Sequence, residues 1–345
     1  MTLDSARAVR AGEELDLPRL SAWLGEPVLA VEQFPRGHSN LTYLVKLADR
    51  ELVLRRPPHG TQVKHAHDMP REAGLLVRLR PVFPLVPRVE RVCEDLSVLG
   101  APFYVMERLR GVILRGPSPR VTLSAEQVRE LCKQFVRVLV QLHAVDWRAA
   151  GVEGRPDGYV RRQVEGWTKR WHDARTEDVP EVDEIAAWLA ARIPAESGAA
   201  FIHNDFKYDN LLFDKGFTRV VGVLDWEMST VGDPLMDLGT ALGYWVEDTD
   251  SEPLKAFAFG PTFLPGSFTR QEVIDEYGRL SGRDVSGMLF YFCFALFKTA
   301  VVAQQIYKRY VQGLTTDERF AALGLGVQLL ARQALDAAAG KMGTP

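Results

Sequence analysis

The stretch from Ala199 to Trp226 constrains this chain most. His203, Asp205, Lys207, Asp209 and Asn210 fall within eight residues, between the apolar runs Phe201-Ile202 and Leu211-Leu212-Phe213. A second apolar run, Val220 to Leu224, stops at Asp225. Short apolar runs with polar ends read as buried strands. Polar residues where strands give way to loops are where binding and catalytic groups collect. The stretch therefore predicts strands whose connecting loops carry a site.

The remainder of the chain sets the frame. Its 345 residues suffice for two domains or lobes, and 46% hydrophobic with 25% charged residues is ordinary for a globular protein. A net charge of -3, from 42 basic and 45 acidic residues, argues against nucleic acid as a partner held by bulk charge. Cys93, Cys132 and Cys293 are far apart and form no disulfide framework, and the N-terminus lacks the apolar core of a signal peptide. A cytoplasmic location is the expectation. The most apolar run, Met288 to Phe297, is closed by Lys298. It is too short to span a bilayer and reads as a buried helix, so no membrane partner is expected.

Taken in order, the chain is first mixed and then helical. Leu17, Leu20, Trp23 and Leu24 mark an amphipathic helix, with Asp16 as cap and Pro18 in its first turn. Val28–Phe34, Leu41–Leu47 and Glu51–Arg56 read as three antiparallel strands on short turns. The turn between the first two, Pro35 to Asn40, holds Gly37, Ser39 and Asn40. Such residues let backbone N–H groups approach a phosphate, although alone they describe an ordinary hairpin turn. A helix over 69–80 carries Glu72, Val86–Val92 is a strand, and an apolar strand from Phe103 runs out at Met106. Ser124 with Gln127 and Thr269 with Glu272 are capping boxes for later helices. Helices are also expected over 157–173, 181–192, 286–310 and 317–339. His143 reads as a satisfied core histidine, Trp167, Trp171 and Trp188 as packing residues, and the acidic stretches 176–184 and 247–252 as solvated loops. Asp233 before Pro234 looks like a helix cap, and Asp237, one turn on, is placed to hold the 203–210 loop by hydrogen bonds.

Transfer of a γ-phosphoryl group needs a carboxylate for the acceptor's hydroxyl proton, oxygen ligands for Mg²⁺ and a cation for the transferred charge. Asp205 is the candidate base, Asn210 and Asp225 the candidate metal ligands, and Lys207 the cation for the γ-phosphate. His203 is placed to fix the loop. His203-Asn-Asp205-Phe-Lys207-Tyr-Asp-Asn210 with Val223-Leu-Asp225-Trp resembles the aminoglycoside phosphotransferase and choline kinase superfamily. Within it, the chain is most similar to the phosphotransferase-like domain found fused to acyl-CoA dehydrogenases. Gly37-His-Ser-Asn-Leu-Thr-Tyr43, Val53-Leu-Arg-Arg-Pro57, Arg71-Glu72, Met106-Glu107, Leu142-His-Ala-Val-Asp146 and Gly232-Asp-Pro-Leu-Met-Asp237 resemble that branch in the same order. The likeness spans roughly residues 25–310.

The resemblance implies an α+β, bilobal protein-kinase-like fold. Residues 1–107 would form a small lobe of antiparallel sheet plus helix, and 108–345 a larger, mostly helical lobe. It implies ATP and Mg²⁺ as cofactors and a small-molecule hydroxyl compound as acceptor. Ser39 and Asn40 would grip phosphate. Arg55, or its neighbour Arg56, would stand where the family has a strand lysine, with Glu72 as ion-pair partner. The backbone at Met106, Glu107 and Leu109 would meet the adenine. An arginine on the strand keeps the charge but changes its shape and hydrogen-bond fork. Gly-x-Gly-x-x-Gly is missing, and nothing between Asp225 and Asp237 resembles a protein-kinase activation segment, which favours a small-molecule kinase. A hydroxyacyl or hydroxy-acid acceptor fits the fused branch and the basic residues Arg161, Arg162, Lys169 and Arg170. An aminoglycoside or choline-type acceptor fits the acidic stretches. A catalytically silent nucleotide-binding scaffold is the alternative from another class.

Overall fold

Apolar alternation and helix caps set the elements of the computed structural model, which describes residues 6–35, 40–58, 68–116, 121–256, 258–315 and 318–341. In chain order they are α1 (Leu17–Leu24), β1 (Ala30–Gln33), β2 (Leu41–Lys46), β3 (Glu51–Arg56), α2 (Met69–Leu79), β4 (Val89–Cys93), α3 (Leu96–Leu99), β5 (Phe103–Glu107), α4 (Ala125–His143), α5 (Tyr159–Ala174), α6 (Pro180–Ala190), β6 (Ala200–Ile202), β7 (Leu211–Phe213), β8 (Val220–Val223), β9 (Thr230–Gly232), α7 (Pro234–Gly243), α8 (Glu252–Ala256), α9 (Arg270–Ser281), α10 (Met288–Val311) and α11 (Leu323–Ala338). The caps lie where the sequence puts them. Asp16 accepts from the Arg19 N–H at 3.0 Å, and both halves of the Ser124/Gln127 and Thr269/Glu272 boxes are formed.

The chain divides into two compact units that are discontinuous in sequence: 1–114 with 148–152 and 210–228, and the remainder. The sequence reading draws one continuous boundary near residue 107. The difference arises because β7 and β8 pack with the first unit although their neighbours in the chain belong to the second.

In the first unit, a five-stranded antiparallel sheet runs β1-β2-β3-β5-β4, two strands wider than the predicted meander. One face is apolar: Tyr43, Val45, Leu52, Leu54, Phe103 and Val105 pack with Leu20 of α1. Strand alternation sends Arg55 to the opposite face, where it stands across from Tyr104 in the β3–β5 register and meets Glu72 of α2. The β7–β8 hairpin is tied to this unit by paired bonds between Val112 and Phe213 and by the Val223 N–H to the Leu85 carbonyl at 2.8 Å.

The second unit is helical around α10, which packs against α5, α6, α7 and α11. By length and composition α10 suffices to cross a membrane, but most of its apolar surface is buried inside the protein, as expected for a core helix. The α7–α10 crossing depends on a glycine, because a Cβ on Gly239 would lie 2.6 Å from the Tyr291 carbonyl oxygen. A short β6–β9 pair completes the unit and presents residues 203–209.

Candidate active site

The loop after β6 is held by a buried carboxylate. Asp237, on the first turn of α7, accepts the backbone N–H of His203 at 2.6 Å and of Asn204 at 2.7 Å. It also lies 3.1 Å from His143 Nε2, while His143 Nδ1 lies 2.7 Å from the Tyr277 hydroxyl. Burial pushes the Asp237 carboxyl up, but bonding and charge from His143, with His203, prevail and hold it below its ordinary value. His143 is thus a satisfied core residue that acts on the loop through Asp237. His203 is fully buried, and its Nδ1 accepts the Asp205 N–H at 3.2 Å. Asn204 takes a left-handed backbone, φ 64°, a turn that asparagine tolerates.

The loop ends in charge. Lys207 Nζ is 2.8 Å from both carboxylate oxygens of Asp205, and lies 4.8 Å and 5.1 Å from the ring centres of Tyr244 and Phe259. Lys298 of α10 donates to the Asn204 carbonyl at 2.9 Å, with the charges of Asp205, Asp237, Lys207 and Arg170 acting on it. Asp205 is thus ion-paired with Lys207, with Lys298 bonded to the adjoining peptide.

The first unit carries the opposite arrangement. The Arg55 guanidinium lies 2.9 Å from Asp225 and 3.6 Å from each of Glu72 and Glu227. Burial alone would lower Arg55, but Glu72 and Asp225, foremost among its neighbours, hold it well above its ordinary value. Arg56 points to the other face beside Tyr43 and meets none of these acids in the described contacts, so Arg55 is the strand cation of the cluster. Asp225 has φ 67°, an uncommon conformation for a non-glycine residue and one that turns the chain sharply at the end of β8. Asn210 is buried, and its carbonyl accepts the Leu224 N–H at 2.8 Å, which fixes the spacing between the two candidate ligands.

The remaining nucleotide candidates are less uniform. Ser39 lies outside the described residues. The Asn40 amide donates to Glu227 at 2.7 Å. Met106 is buried in β5, opposite Val53 and Val89. The Glu107 N–H is taken by the Arg88 carbonyl at 2.9 Å, and its carboxylate holds Arg80 at 2.8 Å. Leu109 lies over β8, where a Cβ on Gly222 would meet its Cδ1 at 2.5 Å.

Three features of the site escape the sequence reading. Glu227 joins the Arg55 cluster, Lys298 reaches the loop after β6, and the stretch 247–252 is more than a solvated loop. Glu247 and Asp250 clamp the buried Arg270, although Asp248 and Glu252 stay exposed. Lys298 interrupts an apolar helix, and that was the one signal available. Among the basic residues near 161–170, Lys169 pairs with Asp173 and Arg162 bonds the carbonyls of Asp157 and Arg155. Arg170 stacks 4.8 Å over Trp167.

Among the described residues no group of three or more His, Cys, Asp or Glu side chains is placed to hold a metal. Mg²⁺ needs no such cage, because it takes one or two protein oxygens and completes its shell with water and phosphate. Asp225, at the edge of the Arg55 cluster, and the buried Asn210 at the start of β7 supply oxygens of this kind. The donor set fits a phosphate-borne Mg²⁺.

The sheet with its companion helix and the helical second unit define a bilobal α+β fold of the protein-kinase-like class. A crystal structure of a provisionally assigned aminoglycoside phosphotransferase from Ralstonia eutropha superposes with a TM-score of 0.80 at 29% identity, covering 95% of this chain and 99% of that one. The aminoglycoside phosphotransferase APH(4)-Ia, solved with AMP-PNP and hygromycin B, matches with a TM-score of 0.62 at 17% identity over 94% of this chain and 98% of its own. The family model described as "Phosphotransferase enzyme family" matches residues 30–272, and the chain belongs to that family. Mouse acyl-CoA dehydrogenase family member 10 is 36% identical over 81% of this chain, which spans only 26% of that relative's length.

Proposed function

We propose that this chain moves the γ-phosphoryl group of ATP to the hydroxyl of a small molecule. The observation that carries this reading is the Asp205–Lys207 pair on a loop held by Asp237, in a chain that belongs to the phosphotransferase family. Asp205 takes or orients the acceptor's hydroxyl proton. Its loop is pre-organised by the two backbone bonds to Asp237, so little reorganisation accompanies reaction. Lys207, carried on the same loop and steadied by Tyr244 and Phe259, meets the negative charge of the transferred group. Asn210 and Asp225 hold Mg²⁺, which when bound neutralises the triphosphate. Arg55, oriented by Glu72, contacts the phosphates in the role a strand lysine has elsewhere, with Asn40 and the preceding turn as further contacts. The adenine lies against Met106 to Leu109. Since the Glu107 N–H is already bonded, Leu109 is the better candidate for a backbone contact there.

For the acceptor, a hydroxyacyl or hydroxy-acid compound fits better than a cationic one. A pocket of about 120 Å³ in the second unit is lined mainly by apolar side chains, among them Val246, Ala303, Leu329 and Leu330. It shares Tyr244 and Phe259 with Lys207. Glu247 and Asp250, which would attract an aminoglycoside or choline, are committed to Arg270. The name of the mouse relative points the same way.

The test is ADP release from Mg·ATP in the presence of hydroxy acids, hydroxyacyl-CoAs, aminoglycosides and amino alcohols. Stimulation by an acyl-type hydroxyl compound is expected. Stimulation by an aminoglycoside alone would reverse the acceptor assignment. Nucleotide binding with no turnover for any acceptor would favour a silent scaffold.

A further inference from the structure

Lys298 is a buried charge that the reaction as described leaves idle. It is only 7% exposed, on a helix whose buried side is mostly apolar and whose buried amide, Gln304, is hydrogen-bonded to Ala174 and Thr176. Among the described residues its ammonium makes one hydrogen bond, to the Asn204 carbonyl at 2.9 Å, and lies 5.8 Å from the Trp167 ring. A buried ammonium with one neutral acceptor is costly, and an apolar residue of similar length would pack there at least as well. Burial lowers its pKa, against the pull of Asp205 and Asp237.

The bond it makes has a specific geometric consequence. The Asn204 carbonyl and the Asp205 N–H belong to one planar peptide unit. Lys298 holds the oxygen edge of that unit, and His203 Nδ1 holds the nitrogen edge at 3.2 Å. The preceding N–H, of Asn204, is held by Asp237 at 2.7 Å. The peptide from which the Asp205 side chain departs is thus bonded on both edges, at a left-handed turn that Asp237 and Tyr159 hold from the Asn204 side.

We infer that Lys298 is a positioning residue for Asp205, fixing the Asn204–Asp205 peptide plane and keeping a positive charge beside the carboxylate. The inference deepens the reading of Asp205 as base and rests on it. The charged groups around the ammonium are Asp205 and Lys207 on the loop, Asp237 on α7 and Arg170 on α5.

The test compares Lys298→Met, Lys298→Gln and Lys298→Arg with wild type and Asp205→Ala. Turnover is read as ADP release from Mg·ATP, with water and with any active acceptor. Hydrogen exchange of the 203–207 amides is read on the same proteins. Lys298→Met should melt no lower than wild type, keep KM for ATP, exchange the Asp205 amide at least tenfold faster, and lose kcat by about 10–10²-fold, the scale of a small misplacement of a catalytic group. Lys298→Arg should recover part of both losses. Should Lys298→Met fail to fold, the same split is required of Lys298→Gln. Unchanged exchange and kcat within twofold of wild type would overturn the inference, as would a loss of kcat explained wholly by a lower melting temperature. If Asp205→Ala keeps its turnover, the base assignment falls instead, whatever the lysine variants do.

Discussion

The surroundings of Arg55 and of Asp205 are electrostatic opposites. In the first unit one guanidinium faces Glu72, Asp225 and Glu227. In the second, one carboxylate is bonded to Lys207, with Lys298 on the adjoining peptide and Arg170 within electrostatic reach of Lys298. The first cluster gathers its acids on one buried arginine, whereas the second sets Asp205 and Asp237 against Lys207 and Lys298, so the loss of one member should be felt differently in each.

Breaking the cationic side first should give the largest effect. Asp205→Ala should lower turnover by about 10²–10⁴-fold, the range for loss of a general base, while nucleotide affinity measured by calorimetry stays at the wild-type value. Activity within a few-fold of wild type would remove Asp205 from the base role. On the acidic side, Arg55→Met leaves Glu72 buried beside two further acids. It should cost about 3–5 kcal/mol in denaturant unfolding, the range for one partner stripped from a buried ion pair. Adding Glu72→Leu should restore much of that loss, and a double variant no better than the single one would show that the cluster does not act as a unit.

A smaller effect is expected at the support beneath Asp205. Asp237→Asn should cost about 1–3 kcal/mol, the range for a damaged buried hydrogen-bond network. Because the folded carboxyl lies below its ordinary value of about 3.9, its contribution is complete above that pH. It is lost as pH falls through the lower folded value. Wild-type stability should therefore decline in acid with a component that the Asn variant lacks, and parallel pH curves for the two proteins would refute this. The smallest effect is expected from Glu227→Gln, which removes one of three charges from a partly exposed site. Mg·ATP affinity should fall by about 2–5-fold, as for a single weak ion pair. An increase would mean that the Glu227 charge does not serve a metal.

Much of the fold is legible in the sequence because its signals are local. Asp16, Ser124, Asp233 and Thr269 cap the helices they precede, and the alternation Leu52-Val53-Leu54-Arg55 alone assigns Arg55 to the face opposite the α1 core. The order of polar residues from His203 to Asn210 likewise marks the loop, and Asp237 is found holding it. What stays hidden depends on partners distant in the chain. Glu227 carries no signal of its own until Asn40 and Arg55 are beside it, 187 and 172 positions away in sequence. Glu247 and Asp250 read as a loose acidic loop until Arg270 is buried between them. The three-residue strand β9 carries too few residues for any period, and the placement of β7 and β8 with the first unit follows from contacts to Leu85 and Val112 that no local pattern encodes.

The central claim is that Asp225 belongs to a cation site and Asp205 does not. Calorimetric titration with AMP-PNP, with and without Mg²⁺, tests it on wild type, Asp205→Ala and Asp225→Ala. The account predicts Mg²⁺-dependent binding of equal strength in the first two and its loss in the third. Mg²⁺-dependent binding that survives Asp225→Ala, or that disappears in Asp205→Ala, would contradict it.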